Sequence, residues 1–257
     1  MNILNKFFYY KKHLSYKNLI IKILKFPIDK LSKKIKEKKV FSEKNNKDIF
    51  TKIYEYNYWG DKESKSGIGS STENTISIRI QIPVLVKKYN IKNILDVPCG
   101  DFLWFSKIID NLDVDYLGGD IVENLVIQNN KKFSKNNIKF KNIDLLKDDL
   151  PDTDLLICRD CLFHLSYLDI KKVFRNFINS NIKYFLITNH NLDGSFLNNK
   201  DIITGSFRFL DFYQKPFYFK NNYLEKIDDS EITKTLAEKN MLLFTKKDLE
   251  NNIKNFI

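Results

Sequence analysis

The chain has 257 residues, which is enough for one α/β domain with an appendage and a sizeable core. Its 43% hydrophobic content, with 21 Phe and 13 Tyr, excludes disorder over most of the length. The formal charge of +11 is uneven, because residues 1–48 hold 14 Lys against 4 acidic residues and the remainder carries only +1. A nucleic-acid enzyme usually has its basic patch on the folded domain, so nucleic acid is not the expected partner.

Three cysteines, Cys99, Cys158 and Cys161, indicate a reducing compartment without a disulfide framework. The Cys158–Cys161 spacing has no matching second pair in the sequence, so we interpret it as packing and predict no metal site. Lys interrupts each apolar run near the start of the chain, which argues against a secretory signal and a transmembrane helix. The predicted location is therefore cytoplasmic.

Residues 1–48 form a predicted basic, amphipathic helical tail, and residues 49–257 form the predicted α/β domain. Within the tail, one helical face is shared by Tyr16, Leu19, Ile20, Ile23 and Leu24. One interpretation places residues 1–40 on an anionic membrane surface, as a peripheral attachment to the inner face of the membrane. The alternative packs the tail on its own domain or on a second subunit.

A loop rich in Gly, Ser and charge follows at residues 58–72. Ser71 or Thr72 is the predicted cap of a helix that runs through Arg79. Pro83 then suits the first turn of another helix, Val84–Tyr89.

From residue 92 onward, short apolar runs alternate with helical stretches. The predicted strands are Asn93–Val97, Asp115–Gly119, Ile138–Ile143, Asp154–Cys158, Lys183–Thr188, Tyr223–Ile227 and Met241–Thr245. The helices between them include Phe102–Asn111 and Ile170–Asn179. This alternation predicts an α/β fold: a Rossmann-like, doubly wound, seven-stranded and mostly parallel sheet with a C-terminal antiparallel strand pair.

The strongest motif is ILDVPCGDF, in which an apolar strand ends at Asp96. The turn that follows consists of Pro98, Cys99 and Gly100. Ligands of an open α/β sheet bind outside the carboxyl ends of the strands, where Gly100 allows close approach to the backbone. A dinucleotide needs three glycines here, and the next residue, Asp101, would repel its pyrophosphate. S-adenosylmethionine (SAM) has no phosphate but carries an ammonium and a sulfonium, so the acidic turn favours SAM.

This stretch resembles motif I of class I SAM-dependent methyltransferases, whose common form is an apolar pair followed by Asp-x-Gly-x-Gly-x-Gly. Pro98 replaces the first glycine and Phe102 the third, and the D-x-P-C-G-D form is a familiar variant in that family. The resemblance covers about residues 50–250. It implies the class I fold, SAM as the cofactor and methyl transfer as the reaction.

The resemblance assigns roles to later strand ends as well. Asp120 would bind both ribose hydroxyls, since a carboxylate accepts two hydrogen bonds at once. Asp144 would bind the adenine amino group, with Ile143 and Leu145 as apolar walls. The alternative for each aspartate is a turn or helix cap. The full predicted cofactor-binding set is Trp59, Asp96, Pro98, Cys99, Gly100, Asp101, Asp120, Ile121, Asp144, Leu145 and Arg159.

Two side chains after the fourth strand, Asp160 and His164, are the candidate catalytic base. They are four residues apart and share a face if the segment is helical. Positioning supplies much of the catalysis of methyl transfer, and a base helps when the acceptor is a weakly acidic hydroxyl. The alternative is that His164 packs in the core and Asp160 caps a helix. His190 is a second candidate.

The predicted acceptor-binding residues are Ser66, Arg79, Asn189 and Arg208. Arginine makes bidentate bonds to phosphate or carboxylate, so Arg79, Arg159 and Arg208 favour an anionic acceptor. The aromatic-rich insertion at 198–219 is the predicted acceptor cover.

A narrower resemblance comes from Y-W-G-D-x-x-S-x-S-G-x-G-S at 58–70 together with C-R-D-C-L-x-H at 158–164. These motifs are similar to those of bacterial methyltransferases encoded with surface-polysaccharide genes, including the O-methyl phosphoramidate decoration of capsules. This implies methylation of oxygen on a small polar acceptor, with phosphorylated compounds and glycan precursors as the candidates, and a lid formed by residues 58–72. The alternatives are a nucleic-acid methyltransferase and a membrane-recruited binding protein without activity.

Overall fold

The structure is a computed structural model, and it describes residues 31–192, 198–229, 237–254 and 256. Seven strands form one sheet in the order β3-β2-β1-β4-β5-β7-β6. Their bounds are β1 Asn93–Asp96, β2 Asp115–Asp120, β3 Ile138–Asn142, β4 Leu155–Cys158, β5 Tyr184–Asn191, β6 Glu225–Asp228 and β7 Glu238–Thr245. Strands β1 to β5 are parallel, and β7 is antiparallel to both β5 and β6. The predicted fold class is confirmed.

Helices cover the sheet. Residues 31–40 are helical, and the α-helices that follow are α1 Asn46–Glu55, α2 Ile76–Lys88, α3 Glu123–Phe133, α4 Tyr167–Asn179 and α5 Lys246–Ile253. Because successive side chains of a strand point to opposite faces, Leu95 and Leu156 pack in one core cluster, while Ile94 and Leu155 pack in the other. Burial on both faces explains why these strands are continuous apolar runs.

The predicted helix Phe102–Asn111 is wrong. Two 3₁₀ turns, Phe105–Lys107 and Ile109–Asn111, occupy its place. Phe102 has a φ of 58°, which is incompatible with a right-handed helix. Its buried ring contacts Tyr116 and Phe140 at centroid distances of 4.9 and 5.0 Å. Packing of this ring against β2 and β3 therefore outweighs the local preference for a helix.

Helix α2 also differs from the prediction. It begins at Ile76 and contains Pro83, and its N-cap residue is Thr75 instead of Ser71 or Thr72. A proline inside a helix removes one backbone hydrogen bond. The buried side chains of α2 compensate for this loss by holding the helix against the sheet: Ile78, Ile82, Leu85 and Val86.

The described part of the predicted tail packs against the domain. Val40 is fully buried beside Ile49 and Ile53 of α1, and α1 crosses the predicted boundary at residue 48. The predicted amphipathic face at 16–24 lies outside the described residues, so membrane binding by the tail stays a prediction. Among the described residues, no helix has the length and apolar content needed to cross a bilayer.

Candidate functional site

A cavity lies at the carboxyl ends of β1, β2, β3 and β4. It holds about 1000 Å³ of empty space, counting the part open to solvent, which suits a cofactor or small-molecule site. The strand order reverses between β1 and β4, and ligands of doubly wound sheets bind at such a reversal. Residues from all four strand ends border the cavity, among them Asp96, Asp120, Ile143 and Arg159.

The turn after β1 brings backbone to the cavity wall. The Val97–Pro98 peptide is cis, and Gly100 has a φ of 56°, a conformation that favours glycine. The Cys99 N–H donates to the Gly119 carbonyl at 2.8 Å, and the Asn129 side-chain amide donates to the Gly100 carbonyl at 2.7 Å. These bonds fix the turn against β2 and α3.

Two buried carboxylates, Asp96 and Asp120, border the cavity at the ends of neighbouring strands. Asp96 accepts a hydrogen bond from the Tyr116 hydroxyl at 2.8 Å. Asp120 accepts from the N–H groups of Gly100 at 3.1 Å and Val122 at 2.9 Å. Burial raises the pKa of Asp96 to about 7 and that of Asp120 to about 6, because a buried charge loses its hydration. A cationic ligand would therefore stabilise both carboxylates in their ionised form.

Asp101 holds the 58–72 loop onto this turn. Its carboxylate accepts hydrogen bonds from the Ser64 hydroxyl at 2.8 Å and the Lys65 N–H at 3.1 Å. Its own N–H donates to the Ser66 hydroxyl at 3.0 Å. The loop consequently contributes four residues to the cavity wall: Trp59, Lys65, Ser66 and Ser70.

Replacement of Gly100 by alanine is expected to loosen this loop. A Cβ at position 100 would lie 2.4 Å from Ser66 Oγ, and the positive φ would strain any L side chain. We expect a loss of about 1–3 kcal/mol in the free energy of unfolding, and faster trypsin cleavage after Lys62 and Lys65. Gly60→Ala is the matched control, because Gly60 has a φ of 75° but its added Cβ would meet no atom within 4 Å. Equal cleavage rates in the two variants would contradict the steric contact with Ser66.

A buried cluster of four charges lies beside the cavity, between β4 and β7. Arg159 contacts Asp160 at 3.2 Å and Asp229 at 2.9 Å, and Lys239 contacts the same two carboxylates at 3.1 and 3.4 Å. The side chains of Arg159 and Lys239 are only 3% exposed. Arg159 also donates to the Gly69 carbonyl at 2.9 Å, so the cluster ties the 58–72 loop to the sheet.

Asp160 is the weaker of the two candidate bases. Burial alone would raise its pKa, but Arg159 and Lys239 hold the pKa well below its usual range. It has a φ of 52°, and the segment Leu162–His164 is a 3₁₀ turn, so the helical face predicted for Asp160 and His164 is wrong. The ion pairs of Asp160 with both cations account for this backbone placement.

His164 borders the cavity as a neutral imidazole. Its Nδ1 lies 2.8 Å from the Ser206 carbonyl oxygen. A carbonyl only accepts, so Nδ1 carries the proton and Nε2 keeps its lone pair. Burial lowers the pKa of His164 to about 4, and the ring stacks on Trp59 at a centroid distance of 4.8 Å. His164 is therefore uncharged at neutral pH, and its Nε2 is free of a proton.

Most of the predicted site residues come together at this cavity. Its wall includes Trp59, Ser66, Asp96, Pro98, Cys99, Gly100, Asp120, Ile121, Leu145, Arg159, Asp160 and His164. Within the described part of the chain, the other predicted residues lie outside the wall: Arg79, Asp101, Asp144, Asn189 and Arg208.

The two arginines outside the wall make structural hydrogen bonds. Arg79 donates through Nε to the Thr75 carbonyl and through Nη2 to the Thr72 carbonyl, at the start of α2. Arg208 is buried and donates to the Leu165 carbonyl at 2.7 Å. These bonds place both guanidinium groups in the framework around the cavity, and acceptor binding by either arginine stays a prediction.

Asp144 and Asn189 are also engaged elsewhere. Asp144 accepts from the Leu146 N–H at 3.0 Å and pairs with Lys147 at 3.2 Å, as the turn-cap alternative predicts. Asn189 accepts from the Phe212 N–H at 2.8 Å and positions the insertion after β5. An adenine contact by Asp144 stays a prediction.

The sequence analysis did not predict one wall of the cavity. Helix α1 contributes Asn46, Phe50, Ile53 and Tyr54. Positions 46, 50 and 53 share one face of a helix, so the helical periodicity of the sequence could have indicated this wall. Asp229 and Lys239 carried no such signal, since they lie 70 and 80 positions along the chain from Arg159.

Several solved structures that are similar to this chain are methyltransferases. Magnesium protoporphyrin IX methyltransferase ChlM from Synechocystis PCC 6803, solved with bound SAM, is similar with a TM-score of 0.52 and 12% identity, over 79% of this chain and 98% of that one. Human N-acetylserotonin methyltransferase, in complex with SAM, has a TM-score of 0.51 and 15% identity, over 76% and 57%. The methyltransferase domain of bacterial CtHen1 has a TM-score of 0.51 and 12% identity, over 67% and 98%.

The chain has the fold of SAM-dependent methyltransferases. Its sequence matches no protein-family model and no curated protein. The likeness is therefore one of fold.

Proposed function

We propose that the protein is a SAM-dependent methyltransferase. The observation that carries this proposal is the pair of buried carboxylates, Asp96 and Asp120, at neighbouring strand ends in one cavity. SAM carries an ammonium, a sulfonium and two ribose hydroxyls, which complement carboxylates that retain hydrogen-bonding capacity. Burial removes water from both carboxylates and raises their pKa, because the ionised form loses its hydration. A bound cation would stabilise the ionised form in place of water.

Other residues of the cavity wall would meet the remaining requirements of this cofactor. The backbone turn at Gly100 and the carboxylate of Asp96 would hold the amino-acid part, and Asp120 would hold the ribose hydroxyls. Ile121 and Leu145 would flank the adenine ring. When bound, SAM supplies a methyl group that its sulfonium makes electrophilic.

The proposed acceptor atom is oxygen. His164 Nε2 would take the proton from an acceptor hydroxyl, and Trp59 would keep the imidazole in place by stacking on it. The proposed acceptor is a small polar compound, phosphorylated or a glycan precursor, and the motifs at 58–70 and 158–164 support a place in surface-polysaccharide modification. Lys65 borders the cavity with an exposed side chain, and its ammonium lies 4.7 Å from the centroid of the Tyr54 ring. It is the proposed contact of an anionic acceptor.

Replacement of Asp120 by asparagine is expected to weaken binding of S-adenosylhomocysteine by about 10–100-fold, because a charge-assisted hydrogen bond to ribose is lost. Calorimetric titration of the purified full chain measures this change. Asp113→Asn is the matched control, since Asp113 is 98% exposed just before β2 and should bind as the wild type does. Failure of a well-folded wild type to bind S-adenosylhomocysteine would overturn the methyltransferase proposal, and unchanged binding in D120N would overturn the ribose assignment.

The affinity for SAM is expected to depend on pH. A carboxylate must be ionised to stabilise a cation, and the pKa values of Asp96 and Asp120 are about 7 and about 6 in the free protein. Affinity should therefore be highest above pH 7 and fall as the pH is lowered, by up to about tenfold per pH unit for each group that becomes protonated. Titrations between pH 5 and 8.5 in buffers of different ionisation enthalpy would detect the proton release. A pH-independent affinity would contradict direct cation binding by these carboxylates.

A screen of candidate acceptors tests the proposed acceptor class. Methyl transfer from labelled SAM would be measured with phosphorylated sugars, phosphoramidates and glycan precursors, and with random RNA and DNA as the opposing class. Turnover with nucleic acid alone, together with salt-dependent binding, would contradict the proposed acceptor class while leaving the cofactor proposal intact.

A further inference from the structure

The tail helix, formed by residues 31–40, lies almost entirely in solvent. It carries five lysines and a single acidic residue, Glu37. Only its last residue, Val40, is buried, and it packs against Ile49 and Ile53 of α1. Within the described part of the chain, none of the five lysines forms an ion pair with a carboxylate. The tail helix therefore presents a dense positive charge that no described carboxylate neutralises.

Helical geometry defines which side of the tail helix faces away from the domain. Each residue is rotated by about 100° from the one before it, so Leu31 lies on the side opposite the buried Val40. Ile35 and Lys38 lie within about 40° of Leu31, and Lys34 lies within about 60°. Leu31 and Ile35 are 61% and 49% exposed, which agrees with this placement. Leu31, Lys34, Ile35 and Lys38 form the outward face of the tail helix.

The other charged residues of the tail helix lie elsewhere on its circumference. Lys33, Lys36 and Glu37 lie on the side that faces the domain, and Lys36 is partly buried. Lys39 lies between the two sides, and its ammonium lies 5.5 Å from the centroid of the Tyr56 ring. The one carboxylate of the helix is therefore absent from the outward face, which holds only apolar side chains and lysines.

The outward face consists of an apolar row and a basic row. Leu31 and Ile35 are one turn apart, and so are Lys34 and Lys38 beside them. Helices that lie on anionic membranes have this composition, because the apolar side chains enter the boundary of the acyl chains while the lysines stay at the level of the phosphates. A nucleic acid would bind the lysines but would leave the apolar row in water. The combination of the two rows favours a lipid surface.

We propose that the outward face of the tail helix binds the surface of an anionic membrane. Leu31 and Ile35 enter the headgroup layer, and Lys34 and Lys38 pair with lipid phosphates. The tail helix packs on α1, and α1 forms one wall of the cavity. A packed contact therefore holds the domain at the membrane.

Co-sedimentation of the full chain with lipid vesicles tests this inference. The wild type should bind vesicles of equal parts phosphatidylcholine and phosphatidylglycerol, and it should not bind vesicles of phosphatidylcholine alone. Lys34→Gln combined with Lys38→Gln should weaken binding by about 25-fold, since each lysine at an anionic surface contributes about fivefold. Lys33→Gln combined with Lys36→Gln is the matched control, because it removes the same charge from the opposite side of the same helix. This control should bind within a few-fold of the wild type.

A single substitution tests the apolar row. Ile35→Gln should weaken vesicle binding by about tenfold, because the side chain no longer gains from leaving water. Ile127→Gln is the matched control, since Ile127 is an exposed isoleucine on α3 and should not affect binding.

Four results would overturn the proposal. The first is a wild type that does not bind the anionic vesicles, and the second is an equal loss of binding in the two lysine pairs. The third is unchanged binding of the Ile35→Gln variant, which would leave the apolar row without a part in docking. The fourth is a wild type that binds random DNA or RNA in preference to the anionic vesicles, which would assign the lysines to nucleic acid.

Discussion

Substitution of His164 by glutamine is expected to lower kcat by about 10²–10⁴-fold, the usual contribution of a general base. Glutamine preserves polarity at the cavity wall, but its amide cannot take a proton from a hydroxyl. The binding of S-adenosylhomocysteine should change little, because the proposed partner of His164 is the acceptor hydroxyl and not the cofactor. Initial rates with labelled SAM and the best acceptor of the screen would measure the effect at saturating substrates.

His190→Gln is the matched control for this substitution. His190 is also buried with its pKa lowered to about 4 by burial, but its Nδ1 accepts from the Leu210 N–H and it lies outside the cavity wall of the described chain. At saturating SAM, the wild-type kcat should stay level from pH 8 to about 5 and fall as His164 is protonated near its pKa of about 4. A kcat for H164Q within a few-fold of the wild type would show that positioning alone drives the reaction.

Substitution of Asp229 by asparagine is expected to lower the free energy of unfolding by about 3–5 kcal/mol, the usual cost of removing one partner from a buried ion pair. Asp229 is fully buried and contacts both Arg159 and Lys239. Burial raises the pKa of Asp229, while Arg159 and Lys239 oppose that rise. Urea titration of the wild type and D229N at one pH measures the loss.

A surface ion pair provides the control for this measurement. Asp113 contacts Lys92 at 2.7 Å but is 98% exposed, so Asp113→Asn should lower the free energy of unfolding far less than Asp229→Asn does. Equal losses in D229N and D113N would show that the buried cluster contributes no more to stability than a solvated pair does.

The buried cluster also connects stability to the site. Arg159 contacts Asp229 on one side and the Gly69 carbonyl of the 58–72 loop on the other. Asp160, a candidate base in the sequence analysis, pairs with Arg159 and Lys239 instead, so these two cations occupy its carboxylate. Because these ion pairs occupy Asp160, His164 is the proposed base.

The sequence by itself determined the sheet and its functional edge. A parallel strand buried on both faces must be a continuous apolar run, and such runs are visible without the structure. Asp96 and Asp120 follow two of these runs, and the carboxyl ends of parallel strands meet at one edge of the sheet. The topology alone therefore brought the two carboxylates together, which is why they were predictable from strand positions.

Only the tertiary structure decided the features that depend on distant partners. Phe102 leaves the helical conformation because its ring packs against β2 and β3. Asp101 binds the 58–72 loop because the Ser64 hydroxyl lies within hydrogen-bonding distance of its carboxylate. The pairing of Arg159 with Asp229 joins residues that are 70 positions apart. No local pattern specifies such contacts, because they are set by how the chain packs and by the need to neutralise buried charge.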